Sequence, residues 1–462
     1  MEKHYEVNEV IRWYPTEFNN EDCNSMWDKK GMNLYVHIPF CRGKCGFCPF
    51  NSQPINDKNL DEYFSMLKKE IELYAKEPYF KDRYIRSLWI GGGTPSAVPF
   101  ERIEDVLNLL KSKFDFRDNT EITLETNLFD LKEDYIKTVS KSPVTRLSIG
   151  VQSFNDKYLK MMGRTYRRDW INEFFAFIKK YNLDISIDVM YRYPGQTVEE
   201  VRDDMRAIVS MSDNIDHITL YSLILFPRLP IYQLVKNGKY PLQPNLDTYC
   251  EMNKALTEEL QGNGPYREYT TNHFAKPGKE NIYNIDRWGF PQKECLSFGP
   301  GAFSQVKDYV YCNEHMLSNY YDKINKGIKP VQTGKKMTLL EQISRYLVLG
   351  CKNMEIDLDE FKQKVGARVE DIYPTQIKNL IENNYIKIEG NKLKITPYGK
   401  AWIIDVSRAF FTENNVDFTQ PQYDILDMFE GNREHFTDGV VQNGKKLILN
   451  NYINNKKNEM QD

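Results

Sequence analysis

The sequence of 462 residues lacks several features that would assign it to a common class of protein. No stretch approaches roughly 18 consecutive apolar residues, so we expect no membrane span. The first residues, MEKHYEVNEVIRWYPTEF, do not have the basic and then apolar order of a signal peptide. The net charge is only −3, which gives no electrostatic reason to expect a nucleic-acid or membrane partner. We therefore expect a cytoplasmic protein.

The cysteines do not have the distribution of a disulfide framework. Three of the eight lie close together in the stretch YVHIPFCRGKCGFCPFNS, and the other five are scattered through the chain. In a large chain without a secretion signal, clustered cysteines more often bind a metal or take part in redox chemistry. The sequence therefore predicts a metal centre at Cys41, Cys45 and Cys48.

Between residues 32 and 225, short β-rich runs alternate with amphipathic helical patterns. The runs read as nearly continuous apolar strands, which is typical of a parallel sheet covered by helices. We predict an α/β fold, a partial or closed (β/α) parallel barrel, whose chemistry collects at the carboxyl ends of the strands. The runs are NLYVHI, IRSLWIGGG, EITLET, TRLSIGV, DISIDVMY and HITLYSLIL.

The rest of the chain divides around this core. Residues 226–335 are turn-rich and are interpreted as an irregular extension that completes the core and covers the site. Residues 336–411 combine helical patterns with two short strand patterns, which predicts a C-terminal helical, winged-helix-like domain. Residues 1–31 form an N-terminal extension, and the Asn- and Lys-rich residues 412–462 are expected to be a frayed tail.

The spacing Cys-x3-Cys-x2-Cys suits a cubic iron–sulfur cluster. Three thiolates bind three irons and leave the fourth iron open to another ligand. A structural zinc site would instead be closed by four protein ligands, and His37 is the candidate for the fourth. Both alternatives are open on spacing alone.

The cysteine spacing, with the aromatic Phe47 just before the third cysteine, resembles the radical S-adenosylmethionine (SAM) superfamily. The resemblance implies a 4Fe–4S cluster on Cys41, Cys45 and Cys48, whose unique iron binds SAM. Some relatives use two SAM molecules, so the resemblance implies either one SAM molecule or two. The cluster would cleave SAM reductively to a 5′-deoxyadenosyl radical. An electron donor such as flavodoxin or ferredoxin is implied as a partner.

The glycine-rich turn IGGGTPS resembles the motif that holds the SAM amino group in this superfamily, and it implies contacts from Gly92, Gly93 and Thr94. Taken alone, such a turn is often only a tight turn, and it lacks the G-x-G-x-x-G spacing of a dinucleotide site.

Five further residues match SAM-site positions of the coproporphyrinogen III oxidase-like branch. Glu125, Gln152, Arg164 and Asp188 offer carboxylates, an amide and a guanidinium at predicted strand ends, and Tyr35 places an aromatic ring beside SAM. The resemblance implies that the three cysteines and Tyr35 are catalytic. Each of the four polar residues, taken singly, is more often a solvated strand end, a turn residue or a surface charge.

The same branch contains several functions. Coproporphyrinogen III oxidases have a further cysteine where this chain has Phe50, which counts against that dehydrogenase activity. The chain also resembles anaerobic heme-degrading methyltransferases and class C radical SAM methyltransferases. We therefore predict one-carbon transfer to a tetrapyrrole, such as heme, or another aromatic substrate.

The alternative is a heme chaperone. The histidine that chaperones of this branch carry is absent from YNIDRWGF, residues 283–290. His273 is a second candidate for heme ligation or proton transfer, although a lone histidine is more often structural.

Overall fold

The structure, a computed structural model, describes residues 31–49, 52–227, 229–289 and 292–411. Phe50, the tail at 412–462 and all but the last residue of the predicted N-terminal extension lie outside the described residues. None of the described helices is both long enough and apolar enough to cross a membrane.

Within this part of the chain, twelve strands form one sheet in the order β14-β13-β12-β11-β1-β4-β5-β6-β7-β8-β10-β9. The run from β11 to β8 is parallel, and the strands beyond it on both sides are antiparallel. Two further short strands, β2 and β3, pair with each other. The strands are β1 (Gly31–Ile38), β2 (Phe40–Cys41), β3 (Gln53–Pro54), β4 (Tyr84–Gly92), β5 (Asp115–Asn127), β6 (Arg146–Gln152), β7 (Asp184–Tyr191), β8 (His217–Ser222), β9 (Arg267–Thr270), β10 (His273–Ala275), β11 (Glu294–Phe298), β12 (Phe303–Val306), β13 (Tyr309–Asn313) and β14 (Val331–Lys336).

The helices that connect the parallel strands β1 and β4 to β8 pack on the outer face of the sheet, as the amphipathic patterns predict. The helix Val198–Ser210 shows how the sequence starts such an element, because Thr197 and Glu200 form a reciprocal capping box at its first turn. The helices up to β14 are α1 (Asp57–Ala75), α2 (Phe100–Lys113), α3 (Glu133–Val139), α4 (Asp156–Met161), α5 (Arg168–Ile178), α6 (Val198–Ser210), α7 (Pro230–Lys236), α8 (Leu246–Thr257), α9 (Ile282–Trp288) and α10 (Leu317–Asn325).

The predicted parallel α/β fold is confirmed, and the sheet is the partial form of the barrel because β9 and β14 end it without pairing with each other. The description of residues 226–335 as irregular is wrong. This segment supplies β9–β14, which lengthen the sheet on both sides. These strands are short and are separated by glycine- and proline-rich turns. The sequence therefore contains no continuous apolar run that would predict them.

The two faces of the sheet differ in polarity. In β1, Leu34, Val36 and Ile38 are fully buried against the outer helices, whereas Tyr35 and His37 are only partly buried and face the inside of the partial barrel. We call this inner space the lumen. Tyr35 is in register with Trp89 of β4 and Ser297 of β11, so these residues share the lumen face.

The C-terminal domain has its own hydrophobic core. A three-stranded sheet, ordered β15-β17-β16, packs with helices in the predicted helical and hairpin pattern. Trp288, at the end of α9, contributes to this core and so connects the two domains. The elements are α11 (Leu339–Gly350), β15 (Glu355–Asp357), α12 (Leu358–Val365), α13 (Val369–Ile372), α14 (Pro374–Glu382), β16 (Ile386–Glu389), β17 (Lys392–Ile395), α15 (Pro397–Ala401) and α16 (Ile403–Arg408).

Candidate metal and cofactor site

The three clustered cysteines lie on one loop that follows the carboxyl end of β1. All three cysteines are partly buried. The Cys48 N–H donates to the Cys45 carbonyl oxygen at 3.2 Å, and the Ile231 N–H donates to the Gly46 carbonyl oxygen at 3.2 Å, which attaches the loop to α7. This cysteine loop, residues 41–49, is therefore held in place by the protein itself.

The loop does not form a closed site for a single metal ion. No group of three or more His, Cys, Asp or Glu side chains in the described residues is placed to hold one ion. His37 Nδ1 lies 3.1 Å from the Tyr35 hydroxyl, and its ring packs against Gly92. The zinc alternative with His37 as the fourth ligand thus finds no support. A cubic cluster makes a different demand, because each thiolate binds a different iron.

The glycine turn packs directly against the backbone that carries the first cysteine. The Gly93 N–H donates to the Ile38 carbonyl oxygen and the Thr94 N–H to the Phe40 carbonyl oxygen, both at 2.7 Å. A Cβ atom on Gly93 would lie 2.5 Å from the Phe40 oxygen and 3.0 Å from Cys41 Sγ. The close approach requires glycine here. Thr94 Oγ1 is 3.5 Å from Cys41 Sγ, so this turn and the cysteine loop form one unit.

Glu125, predicted to contact SAM, braces the same turn. Its carboxylate accepts hydrogen bonds from Trp89 Nε1 at 2.6 Å and from the Gly92 N–H at 3.0 Å. At Gly92 the backbone has φ of +119°, a conformation that glycine adopts readily. A direct contact between Glu125 and SAM stays a prediction, and its observed role is to fix the turn.

Asp188 lies near the end of β7, and its carboxylate accepts a hydrogen bond from Ser148 Oγ at 3.3 Å. Burial, and then the nearby carboxylate of Glu125, raise the pKa of Asp188 to about 7. Two neighbouring carboxyl groups form a site that favours a positively charged ligand. The sulfonium and ammonium groups of SAM have that charge.

Arg164 supplies the opposite charge beside the cysteine loop. Its Nε atom is buried and has no hydrogen-bond partner among the described residues. Its guanidinium lies 5.8 Å from the ring centre of Phe47 and 6.0 Å from that of Tyr166. A buried N–H donor without a partner is costly, and a ligand carboxylate would satisfy it. The guanidinium and the carboxylates in this region therefore fit the two charged ends of an amino acid such as the methionyl part of SAM.

Gln152 marks the end of β6 with a break in the sheet. Its φ is +75°, and the pairing with β7 shifts register between Gly150 and Gln152. The Tyr193 hydroxyl donates to the Gln152 carbonyl oxygen at 2.9 Å and fixes this strained position. The side chain is thereby directed away from regular strand geometry, and its contact with SAM stays a prediction.

Tyr35 belongs to an aromatic wall of the lumen. Its ring centre is 6.4 Å from that of Tyr283, which in turn is 5.4 Å from that of Trp89. Burial, and then the neighbouring His315, lower the pKa of His37 to about 4, so the imidazole hydrogen-bonded to the Tyr35 hydroxyl is neutral at neutral pH. The wall provides an aromatic surface next to the glycine turn.

Sequence reasoning missed the role of α9. The sequence of residues 283–290 indicated only that the expected histidine is missing, whereas in the structure Tyr283 faces Tyr35 and Trp89. The aromatic and charged residues at i and i+4 of YNIDRW were the available signal. His273, the other candidate, has Nδ1 2.9 Å from the Thr271 carbonyl oxygen within β10, as expected for the structural alternative.

Comparison with known proteins places these features in context. Residues 35–208 match the family model described as Radical SAM superfamily, and residues 337–402 match the HemN C-terminal domain. The chain is 29% identical to the heme chaperone HemW of Bacillus subtilis over 387 residues, which cover 82% of this chain and 99% of that protein. It is 33% identical to HemW of Buchnera aphidicola over 395 residues, covering 82% and 98%.

The fold is similar to that of a solved structure, the coproporphyrinogen III oxidase HemN of Escherichia coli. The TM-score is 0.72 at 21% identity, and the match covers 89% of this chain and 100% of the other. This likeness extends over both the partial barrel and the C-terminal domain.

Proposed function

This chain belongs to the coproporphyrinogen III oxidase-like family of the radical SAM superfamily, and we propose that within this family it is a heme-binding protein of the chaperone type. The observation that carries the proposal is the match to heme chaperones along almost their entire length, at 29% and 33% identity. The predicted methyl transfer finds no support among these relatives, and the chaperone alternative replaces it.

Membership of this family implies a 4Fe–4S cluster and SAM. Cys41, Cys45 and Cys48 would hold the cluster, and the chemistry supplied when both groups are bound is one-electron cleavage of SAM. In this proposal Arg164 binds the SAM carboxylate and Asp188 its positive charge, while Glu125 keeps the glycine turn in position.

The aromatic residues of the lumen support the proposal that the ligand is flat, as heme is. Tyr35, Trp89 and Tyr283 form the aromatic wall, and large aromatic faces stabilise planar apolar rings through burial and stacking. The wall lies next to the glycine turn, so heme bound there would be close to SAM. This proximity makes the family's radical chemistry and heme binding parts of one site.

An electron donor is also part of the proposal. On the cysteine loop, Arg42 and Lys44 are exposed, and Arg42 is fixed by an ion pair with Asp130 at 2.6 Å. Positive charge on the loop that would hold the cluster favours an acidic donor such as flavodoxin or ferredoxin. A cytoplasmic location stays a prediction.

Heme titration of the anaerobically reconstituted protein tests the proposal. We expect one hemin to bind per chain, followed by transfer of intact heme to a heme-free acceptor protein. The Cys45→Ala variant should lose cleavage of SAM to 5′-deoxyadenosine and keep heme binding. If SAM and dithionite instead convert heme to a methylated or ring-opened product, the methyltransferase prediction replaces the chaperone. Absence of heme binding by the wild type would refute the proposal.

A further inference from the structure

The helix α9 lies inside the lumen and is fixed there at both ends. At its start, Asn281 Nδ2 donates to Glu121 Oε1 of β5 at 2.7 Å. Near its end, the Asp286 carboxylate accepts two hydrogen bonds from Arg86 of β4, at 2.6 and 3.1 Å. The side chains between these anchors therefore have defined positions on the lumen wall.

Arg287 follows Asp286 and lies beside residues that face the lumen. Its guanidinium is 5.8 Å from the ring centre of Tyr283, one helical turn earlier, and 5.9 Å from that of Phe303. The thiol of Cys295 is near both Arg287 and the Tyr283 hydroxyl, at 3.9 Å from the latter. Cys295 is in register with Asn33 of β1, on the same side of the strand as Tyr35. Arg287 therefore borders the aromatic wall.

The charge of Arg287 is buried without an acid. The residue is only 9% exposed, and among the residues that the structure describes no carboxylate lies within ion-pair distance of it. Asp286, the acid next to it, is already engaged by Arg86. The Arg345 guanidinium of α11 lies 5.7 Å from the ring centre of the same Phe303.

A buried guanidinium that no acid compensates lowers the stability of a folded protein. Its planar set of N–H donors matches a carboxylate, which it binds through two parallel hydrogen bonds. An anionic ligand would therefore compensate the buried charge of Arg287. The aromatic wall beside it would hold an apolar ring system attached to that anion.

We propose that Arg287 binds a carboxylate of the substrate, so that the site selects flat aromatic ligands bearing acidic side chains. The proposal rests on the proposed function and specifies the class of substrate. A heme propionate has the required chemistry: a carboxylate on a short flexible chain, attached to a planar ring that stacks on Tyr283 and Trp89.

Binding of hemin and of hemin dimethyl ester tests this proposal. The ester retains the ring and the iron and lacks both carboxylates. We expect the wild type to bind hemin about 10- to 100-fold more tightly than the ester, the range for a lost charge-assisted contact. Arg287→Met should bind both probes with the affinity that the wild type shows for the ester. Arg287→Lys, which keeps the charge and loses the paired donors, should lie between them.

Arg117→Met is the matched control, because Arg117 also lies over a tyrosine ring, that of Tyr84 at 3.6 Å, but is half exposed. It should discriminate between the probes as the wild type does. If Arg287→Met still discriminates between the two probes, or if the wild type binds both equally, the inference about Arg287 is overturned and the proposed function is not. If the wild type binds neither probe, the proposed function fails and the inference fails with it.

Thermal unfolding of the ligand-free protein gives a second readout. If Arg287 is retained for a ligand, Arg287→Met should unfold at the same temperature as the wild type or at a higher one. A marked fall in the unfolding temperature that hemin does not influence would assign Arg287 a structural role and contradict the inference.

Discussion

Replacing Gly93 with alanine tests whether the glycine turn and the cysteine loop act as one unit. The added Cβ would lie 2.5 Å from the Phe40 carbonyl oxygen, and ordinary contact begins at 3.4 Å, so the two segments must separate by 0.9 Å. That movement strains two backbone hydrogen bonds of 2.7 Å, which join Gly93 to Ile38 and Thr94 to Phe40. We expect the free energy of unfolding to fall by about 1–3 kcal/mol.

The same displacement should reach the cluster. The alanine Cβ would be 3.0 Å from Cys41 Sγ, so this thiolate must shift as well. We expect less iron and sulfide per chain after reconstitution, measured together with unfolding in denaturant. Gly43→Ala is the matched control, since its Cβ would meet no atom within 4 Å on the same loop. Wild-type stability and iron content in Gly93→Ala would refute the reasoning.

Three further predictions concern charged groups. SAM should bind more weakly as the pH falls through 7, because burial and Glu125 raise the pKa of Asp188 to about 7 and protonation removes the negative charge of this side chain. Calorimetric titration should show that the affinity of Asp188→Asn for SAM lacks this pH dependence. Arg164→Met should weaken SAM binding about 10-fold or more, whereas Arg167→Met, at an exposed guanidinium nearby, should not; equal affinities would contradict the assignment. Burial raises the pKa of Glu70 to about 7, so between pH 5 and 7 the folded state keeps a proton that the unfolded state releases. The free energy of unfolding of the wild type should therefore fall over this range, and it should fall less steeply in Glu70→Gln.

Six of the seven parallel strands, all except β11, were accessible from sequence because each contains a nearly continuous apolar run. The run DISIDVMY corresponds to β7, and NLYVHI falls within β1. Strands β9–β14 were not predicted, because each is only three to six residues long, as in FSQV of β12. A segment this short contains little local information about whether it pairs in a sheet.

The residues of the candidate site also differ in how far the sequence predicts their roles. The cysteine loop and the glycine turn are short motifs whose residue types are set by local geometry, so the sequence displays them. Glu125 could be singled out, but its bracing of Gly92 depends on β4 and β5 lying side by side. Arg287 was missed because its importance comes from burial and from the absence of a nearby acid among the described residues, which only the folded chain reveals.

Mössbauer spectroscopy of the iron-57 protein, with and without SAM, tests the central claim most directly. If three cysteines hold a cluster with one open iron, reconstitution should give roughly four irons per chain, and SAM should alter the signal of a single iron site. A single metal ion bound by four protein ligands, or a cluster whose four irons do not respond to SAM, would contradict the account.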